Sequence, residues 1–185
     1  RLLVKGNLIQ NGGKISQYKG EINIERDFEQ NGGENSLVDG EFNVGGNFTI
    51  GKKGELVNGK RLAHSNGYTE LLSNKLNIEG NMTVCSSRGL ADCWNNSALI
   101  ILKGSLYQYG NSSANETDGD NLYAYTGNFK CSVQFSGEQE QIIYMESPDS
   151  YIAEISATNN QLYLASPVSF IKLTSDITLN TNEED

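Results

Sequence analysis

Trp94, Tyr107 and Tyr109 are the residues of this 185-residue chain whose type and spacing come nearest to a binding chemistry. Trp94 lies in an irregular stretch, and the two tyrosines fall on outward positions of the strand that follows. The apolar faces of sugar rings pack on exposed aromatic surfaces, so the expectation is a carbohydrate platform. The alternative is that the insertion carrying Trp94, at 86–98, folds back and covers the rings. A second constellation is acidic. Glu116, Asp118 and Asp120, with Asn121 beside them, offer the oxygen ligands that Ca2+ takes, although the spacing lacks the full DxDxDG loop and equally describes a polar turn. Cys85 and Cys93 flank the short loop 86–92 and could staple it by a disulfide, which favours an oxidising, extracytoplasmic setting; Cys131 is expected as a buried thiol.

No catalytic constellation emerges, and the prediction is of a non-enzyme. Cleavage of a glycan needs two suitably separated carboxylates, or an acidic metal cluster with a base to abstract a proton. The acids of this chain recur in turns or beside opposite charge. Its one histidine, His64, has no serine or cysteine partner arrangement, and no CxxC marks a metal site. Asn-Gly-Gly recurs as a turn and is not followed by the lysine of a phosphate-binding loop. A polysaccharide lyase or glycoside hydrolase remains the alternative.

The elements that would position these residues come from a repeat. Residues 11–24, NGGKISQYKGEINI, are answered by residues 31–44, NGGENSLVDGEFNV. A period this short, with strand-like alternation and glycine turns, predicts coils of a β-solenoid. Six copies of a two-strand corner align as Leu2/Val4/Leu8/Gln10, Ile22/Ile24/Phe28/Gln30, Phe42/Val44/Phe48/Ile50, Leu76/Ile78/Met82/Val84, Ile100/Leu102/Leu106/Gln108 and Tyr123/Tyr125/Phe129/Cys131. Residues two apart share a strand face, so these positions are predicted to point inward and stack from coil to coil at about 4.8 Å. A column of bends, Gly6-Asn7, Arg26-Asp27, Gly46-Asn47, Gly80-Asn81, Gly104-Ser105 and Gly127-Asn128, supplies residues that tolerate a left-handed backbone and can form Asn ladders.

Lys5 with Glu25, and Glu79 with Lys103, should be cross-strand pairs. Glu21 and Glu41 stack and need water, a cation or Lys75 to offset them. The column after the bend reads Ile9, Glu29, Thr49, Thr83, Tyr107, Lys130, too mixed for the flat threonine rows of an ice-binding surface.

The fold prediction is all-β: a single-stranded parallel β-helix with coils of about 20–24 residues and loop insertions at 52–75, 86–98 and 109–121, right-handed being the expected sense. It forms one domain over 1–179, with regular coils over 2–131 and less regular ones over 132–179, and a polar tail at 180–185. The pattern is already running at Leu2, so further protein on that side is expected. A net charge of −9 argues against nucleic acid and anionic membrane as partners. No apolar run reaches transmembrane length.

The segments VKGNLIQNGG, VGGNFTI and IEGNMTV, at 4–13, 44–50 and 78–84, resemble the coils of parallel β-helix repeats found in large secreted or surface-anchored bacterial proteins, including haemagglutinin-like adhesins. The resemblance spans roughly residues 2–131 and implies an extended stalk or adhesive module at an extracellular or cell-surface location. It carries across no catalytic residue. Its implied partners are another protein or a glycan at a surface, with end-to-end or side-by-side self-association. Five Asn-x-Ser/Thr sequons, at Asn47, Asn81, Asn95, Asn111 and Asn115, look accidental, two of them falling in the turn column. The functional expectation is a structural scaffold, stalk or adhesin module, the alternative a polysaccharide-binding or polysaccharide-cleaving β-helix.

Overall fold

The computed structural model describes the whole chain except residues 89, 92–97, 114–116, 119–120, 159–160, 175–177 and 182–185. Its described residues are strands, turns and loops arranged as a β-solenoid, with two long sheets built entirely from parallel neighbours. The chain crosses the first face, bends, crosses the second, and returns one strand further along each sheet. The first face is an eight-stranded sheet of Leu2–Val4, Glu21–Ile24, Glu41–Val44, Lys75–Ile78, Leu99–Leu102, Phe129–Phe135, Tyr151–Ala157 and Ser169–Leu173. The second face begins with the leading halves of Leu8–Tyr18 and Phe28–Val38. It continues through Phe48–Gly51, Met82–Cys85, Leu106–Gln108, Gln141–Met145, Gln161–Leu164 and Thr178–Thr181.

Alternation explains the inside. Phe28, Phe48, Met82, Leu106 and Ile143 stack as consecutive buried partners on the second face, and Ile22, Phe42, Leu76, Ile100 and Val133 do so on the first. Phe28 and Phe42 meet edge to face with ring centroids 5.3 Å apart, which ties the two faces together across the core.

The early coils have a third side, which apolar spacing alone does not predict. The long strands Leu8–Tyr18 and Phe28–Val38 turn at their Asn-Gly-Gly, so that Glu34–Val38 pairs with Lys14–Tyr18 on one side and with Tyr68–Leu72 on the other. Gly33 has φ 84°, and a Cβ there would run into the Gly13 carbonyl one coil below. The inward positions of this side include Gln17, Asn35 and Thr69, all buried, and their polarity hides the strand from an apolar pattern. Tyr68–Leu72 therefore belongs to a coil, and the first insertion is shorter than expected.

The sixth copy of the repeat is corrected. Ile100 and Leu102 pair with Val133 and Phe135, and Leu106 and Gln108 pair with Ile143 and Met145. Tyr123 and Tyr125 form only isolated bridges, to Leu62 and Ser112, and Gly127-Asn128 lies outside the bend column. After Phe129–Phe135 the chain continues in strands, and the last of them among the described residues, Thr178–Thr181, takes in the first two residues of the expected polar tail.

The bends are joined between coils by side chains. Asn7 Oδ1 accepts from the Asp27 amide at 3.2 Å, Asp27 Oδ1 from Asn47 at 2.7 Å, Asn47 Oδ1 from Asn81 at 2.9 Å and Asn81 Oδ1 from Ser105 at 2.8 Å. The bend ladder thus runs from side chain to backbone, with one side-chain bond added where Asn47 Nδ2 donates to Asp27 Oδ1 at 3.3 Å. An Asn-to-Asn ladder of side chains runs instead on the first face, where Asn43 Nδ2 donates to Asn23 at 2.9 Å and Asn77 Nδ2 to Asn43 at 2.5 Å. Lys103 pairs with Glu79 at 2.7 Å, while Lys5 and Glu25 form no ion pair among the described residues. Glu21 is met by Arg1 at 3.5 Å and Glu41 by Lys75 at 4.0 Å, which offsets their mutual repulsion.

Phe48 is fully buried between Phe28 and Met82, whereas Thr49, half-buried, points outward. Phe48→Asp should bury an unpaired charge and destabilise the neighbouring coils by several kcal/mol in one cooperative step. Thr49→Asp should cost under about 1 kcal/mol. Thermal melts of the two variants check this, and a larger loss for Thr49→Asp would contradict the inside-outside assignment.

Candidate functional site

The regular coil is left at Gly51. Its φ of 75° directs the chain outward, and a Cβ at this position would collide with the Cys85 carbonyl. The departing segment forms an antiparallel hairpin, Lys53–Val57 with Lys60–Ala63, turned on Asn58-Gly59 with φ of 51° and 78°, the left-handed pair that a tight two-residue hairpin requires. The hairpin lies against the outer side of the second face. The Cys85 thiol meets the Leu62 carbonyl at 3.9 Å beneath it, and the hairpin's free edge is extended by the Ala124 amide, which donates to the Arg61 carbonyl at 2.7 Å.

Arg61 fastens this layer to the stack. Its Nε lies 3.0 and 3.2 Å from the two carboxylate oxygens of Glu146, its Nη2 also donates to Glu146, and its Nη1 reaches the Gly54 carbonyl at 2.9 Å. The two side chains are 11% and 9% exposed, so this is a largely buried, bidentate pair. The Glu146 carboxylate holds the Arg61 pKa above its ordinary value despite the opposing effect of burial. Asn111 completes the fastening. Its Oδ1 accepts from the Arg61 amide at 3.0 Å and its Nδ2 donates to the Gly59 carbonyl at 2.7 Å.

Beside the hairpin stands a group of tyrosines. Tyr107 and Tyr144 are register partners on consecutive outward positions, following Thr49 and Thr83 in the same column. Tyr109 lies nearly parallel to Tyr107, with centroids 6.5 Å apart and planes 4° apart, and its ring is 5.3 Å from that of Tyr144. The Lys53 ammonium caps the Tyr109 ring at 4.2 Å from its centroid. Burial raises the pKa of both Tyr109 and Tyr144; neighbouring Tyr144 and Tyr107 add to the effect at Tyr109, as Glu146 does at Tyr144. The phenols therefore stay protonated and able to donate.

The expected aromatic platform is thus present in part. Tyr107 and Tyr109 are brought together and remain half-buried, while Trp94 lies outside the described residues. Tyr144 takes the place in the column that the repeat alignment gives to Lys130. The signal lay in the likeness of Leu106-Tyr107-Gln108 to Ile143-Tyr144-Met145. The insertion that folds over a ring is the first one, carrying Lys53 and Arg61.

The other two constellations are less defined. Asp118 sits on the short strand Thr117–Asp118, which pairs with Asn121–Leu122, while Glu116 and Asp120 lie outside the described residues. Among the described residues no cluster of three or more His, Cys, Asp or Glu could hold a metal. Cys85 is a buried free thiol, Cys131 is buried, and Cys93 lies outside the described residues. Burial raises the pKa of Cys85, partly countered by its Gly54 backbone hydrogen bond and by Arg61. No protein-family model, curated protein or solved structure matches this chain.

Glu146→Ala would leave the Arg61 guanidinium without its counter-charge and should cost about 3 kcal/mol. Arg61→Met combined with Glu146→Leu should recover most of that loss. In a Cys93→Ser, Cys131→Ser background, Glu146→Ala should also speed modification of Cys85 by a thiol reagent at least tenfold below the unfolding transition. Unchanged Cys85 reactivity would show that the pair does not hold the hairpin down.

Proposed function

We propose that this chain is a non-enzymatic β-solenoid module of an extracellular or cell-surface protein, working as a scaffold, stalk or adhesin. The observation that carries the reading is how its carboxylates are used. Glu21, Glu34, Glu41, Glu79, Glu146 and Glu154 each face a cation, namely Arg1, Arg88, Lys75, Lys103, Arg61 and Lys172. A catalytic carboxylate must be free to exchange a proton or to hold a nucleophile or metal. Carboxylates engaged from coil to coil support the stack instead.

The likeness of the repeats to those of bacterial surface adhesins supports the location, and the outward tyrosines support an adhesive role over that of a plain stalk. On this reading the partner is a glycan or another protein at a surface.

The purified chain, incubated with a panel of neutral and acidic polysaccharides, should release no new reducing ends and no unsaturated uronate absorbing in the ultraviolet. Turnover of any polymer, abolished by one carboxylate substitution, would overturn the non-enzymatic reading.

A further inference from the structure

We infer that the outward column Thr49, Thr83, Tyr107 and Tyr144, flanked by the Lys53-bearing hairpin, is a binding strip for an acidic polysaccharide lying along the solenoid axis. The inference rests on the adhesive form of the proposed function and gives that adhesion a ligand class and a direction.

Three features carry it. The four residues are successive register partners, so their side chains repeat along the axis at the inter-strand spacing of about 4.8 Å. A compact ligand would use one or two of these positions, whereas an extended polymer can meet all of them in line. The column also matches a sugar polymer in kind. Two threonine hydroxyls are followed by two half-buried tyrosines, whose rings offer apolar faces and whose hydroxyls offer hydrogen bonds at the edge. The third feature is charge. The chain has a net charge of −9, yet the hairpin beside the tyrosines carries Lys53, whose side chain is exposed and forms no ion pair among the described residues. Glu146, close enough to act on Tyr144, is paired with Arg61, whose charge offsets part of its repulsion of an anion. Lys53 is held over Tyr109 at the border of the strip, where a uronate carboxylate of a polymer stacked on Tyr107 and Tyr144 would meet it.

The bend ladder and the Arg61–Glu146 clamp fix both sides of the strip before any ligand arrives, so binding orders few protein groups. Lys53 is the one long flexible cation involved, which makes it the source of charge selectivity and salt dependence.

Isothermal titration of the full chain with polygalacturonate and with dextran tests the inference. The expected result is binding of polygalacturonate, weakened by added salt, with dextran at least tenfold weaker. Tyr107→Thr and Tyr144→Thr, which place in these positions the residue the column already carries at 49 and 83, should each weaken polygalacturonate binding at least tenfold. Lys53→Gln should remove most of the preference for the acidic polymer, and Tyr18→Ala, on the exposed third side, should change nothing. Matching thermal midpoints confirm that the variants are folded; should a tyrosine variant unfold, Lys53→Gln and the salt dependence of the unaltered chain decide. Absence of polygalacturonate binding, equal binding of both polymers, or binding that survives folded Tyr107→Thr and Tyr144→Thr would overturn the strip while leaving a plain scaffold standing. Cleavage of the bound polymer would overturn the non-enzymatic reading and leave the strip intact.

Discussion

The solenoid depends on satisfying the backbone at its corners. A coil that turns sharply leaves amides and carbonyls that its own strands cannot pair, and each one buried without a partner costs about 1–3 kcal/mol. At the first bend the side-chain oxygen of Asn7, Asp27, Asn47 or Asn81 accepts the amide of the next coil, and Ser105 Oγ does the same for Ile142 at 2.9 Å. At the inner corners buried glutamines take this part. Gln30 Nε2 donates to the Gly33 and Tyr68 carbonyls, Gln17 Nε2 to those of Gly20 and Glu41, and Gln108 Nε2 to those of Gly110 and Tyr125. Each of these three glutamines joins its own corner to a neighbouring segment, so local turn chemistry and coil stacking are there the same interaction.

That use of glutamine also explains how far the fold can be read from the sequence. The first two faces are legible because their inward positions are apolar and repeat beside a conspicuous glycine and asparagine bend, so Phe28, Phe48 and Met82 announce their own alignment. The third side is not legible by the same rule. Its interior is partly a polar chain in which Asn35 Nδ2 donates to Thr69 Oγ1 at 3.1 Å and Thr69 to Gln30 Oε1 at 2.8 Å. Hydrogen bonding, not apolarity, makes these residues internal, and alternation of hydrophobicity cannot report it.

The candidate site was legible in its residues and not in its assembly. Tyr107 stands on the strand Leu106–Gln108 and Tyr109 directly follows it, so the facing of both follows from alternation. Tyr144 and Glu146 follow an excursion of the chain that contains its own apolar pair, Tyr123 and Tyr125, at the spacing of a coil. Tyr123 serves the outer layer, bridging to Leu62 of the hairpin and buried there, while the Tyr125 amide donates at 2.9 Å to the carbonyl of Ser86, just past the strand Met82–Cys85. A two-residue alternation specifies a strand face. It does not say which layer the strand joins, and the choice is made by contacts with the hairpin, remote in sequence.

The same hairpin changes the mechanics of the stack. In a solenoid each coil touches only its neighbours, so stability propagates along one dimension and a weak coil can open locally. The Arg61–Glu146 pair spans 85 residues of chain and reaches past the strands Met82–Cys85 and Leu106–Gln108 to the one that follows them. Opening an intervening coil therefore requires either breaking a largely buried ion pair or lifting the hairpin with it. The tyrosines lie in the coils that this brace spans, with Tyr109 held between Lys53, Tyr107 and Tyr144. An outward surface on a thin repeat would ordinarily flex with its coils. Braced in this way, the column from Thr49 to Tyr144 keeps its spacing along the axis, which is the property a linear ligand would read.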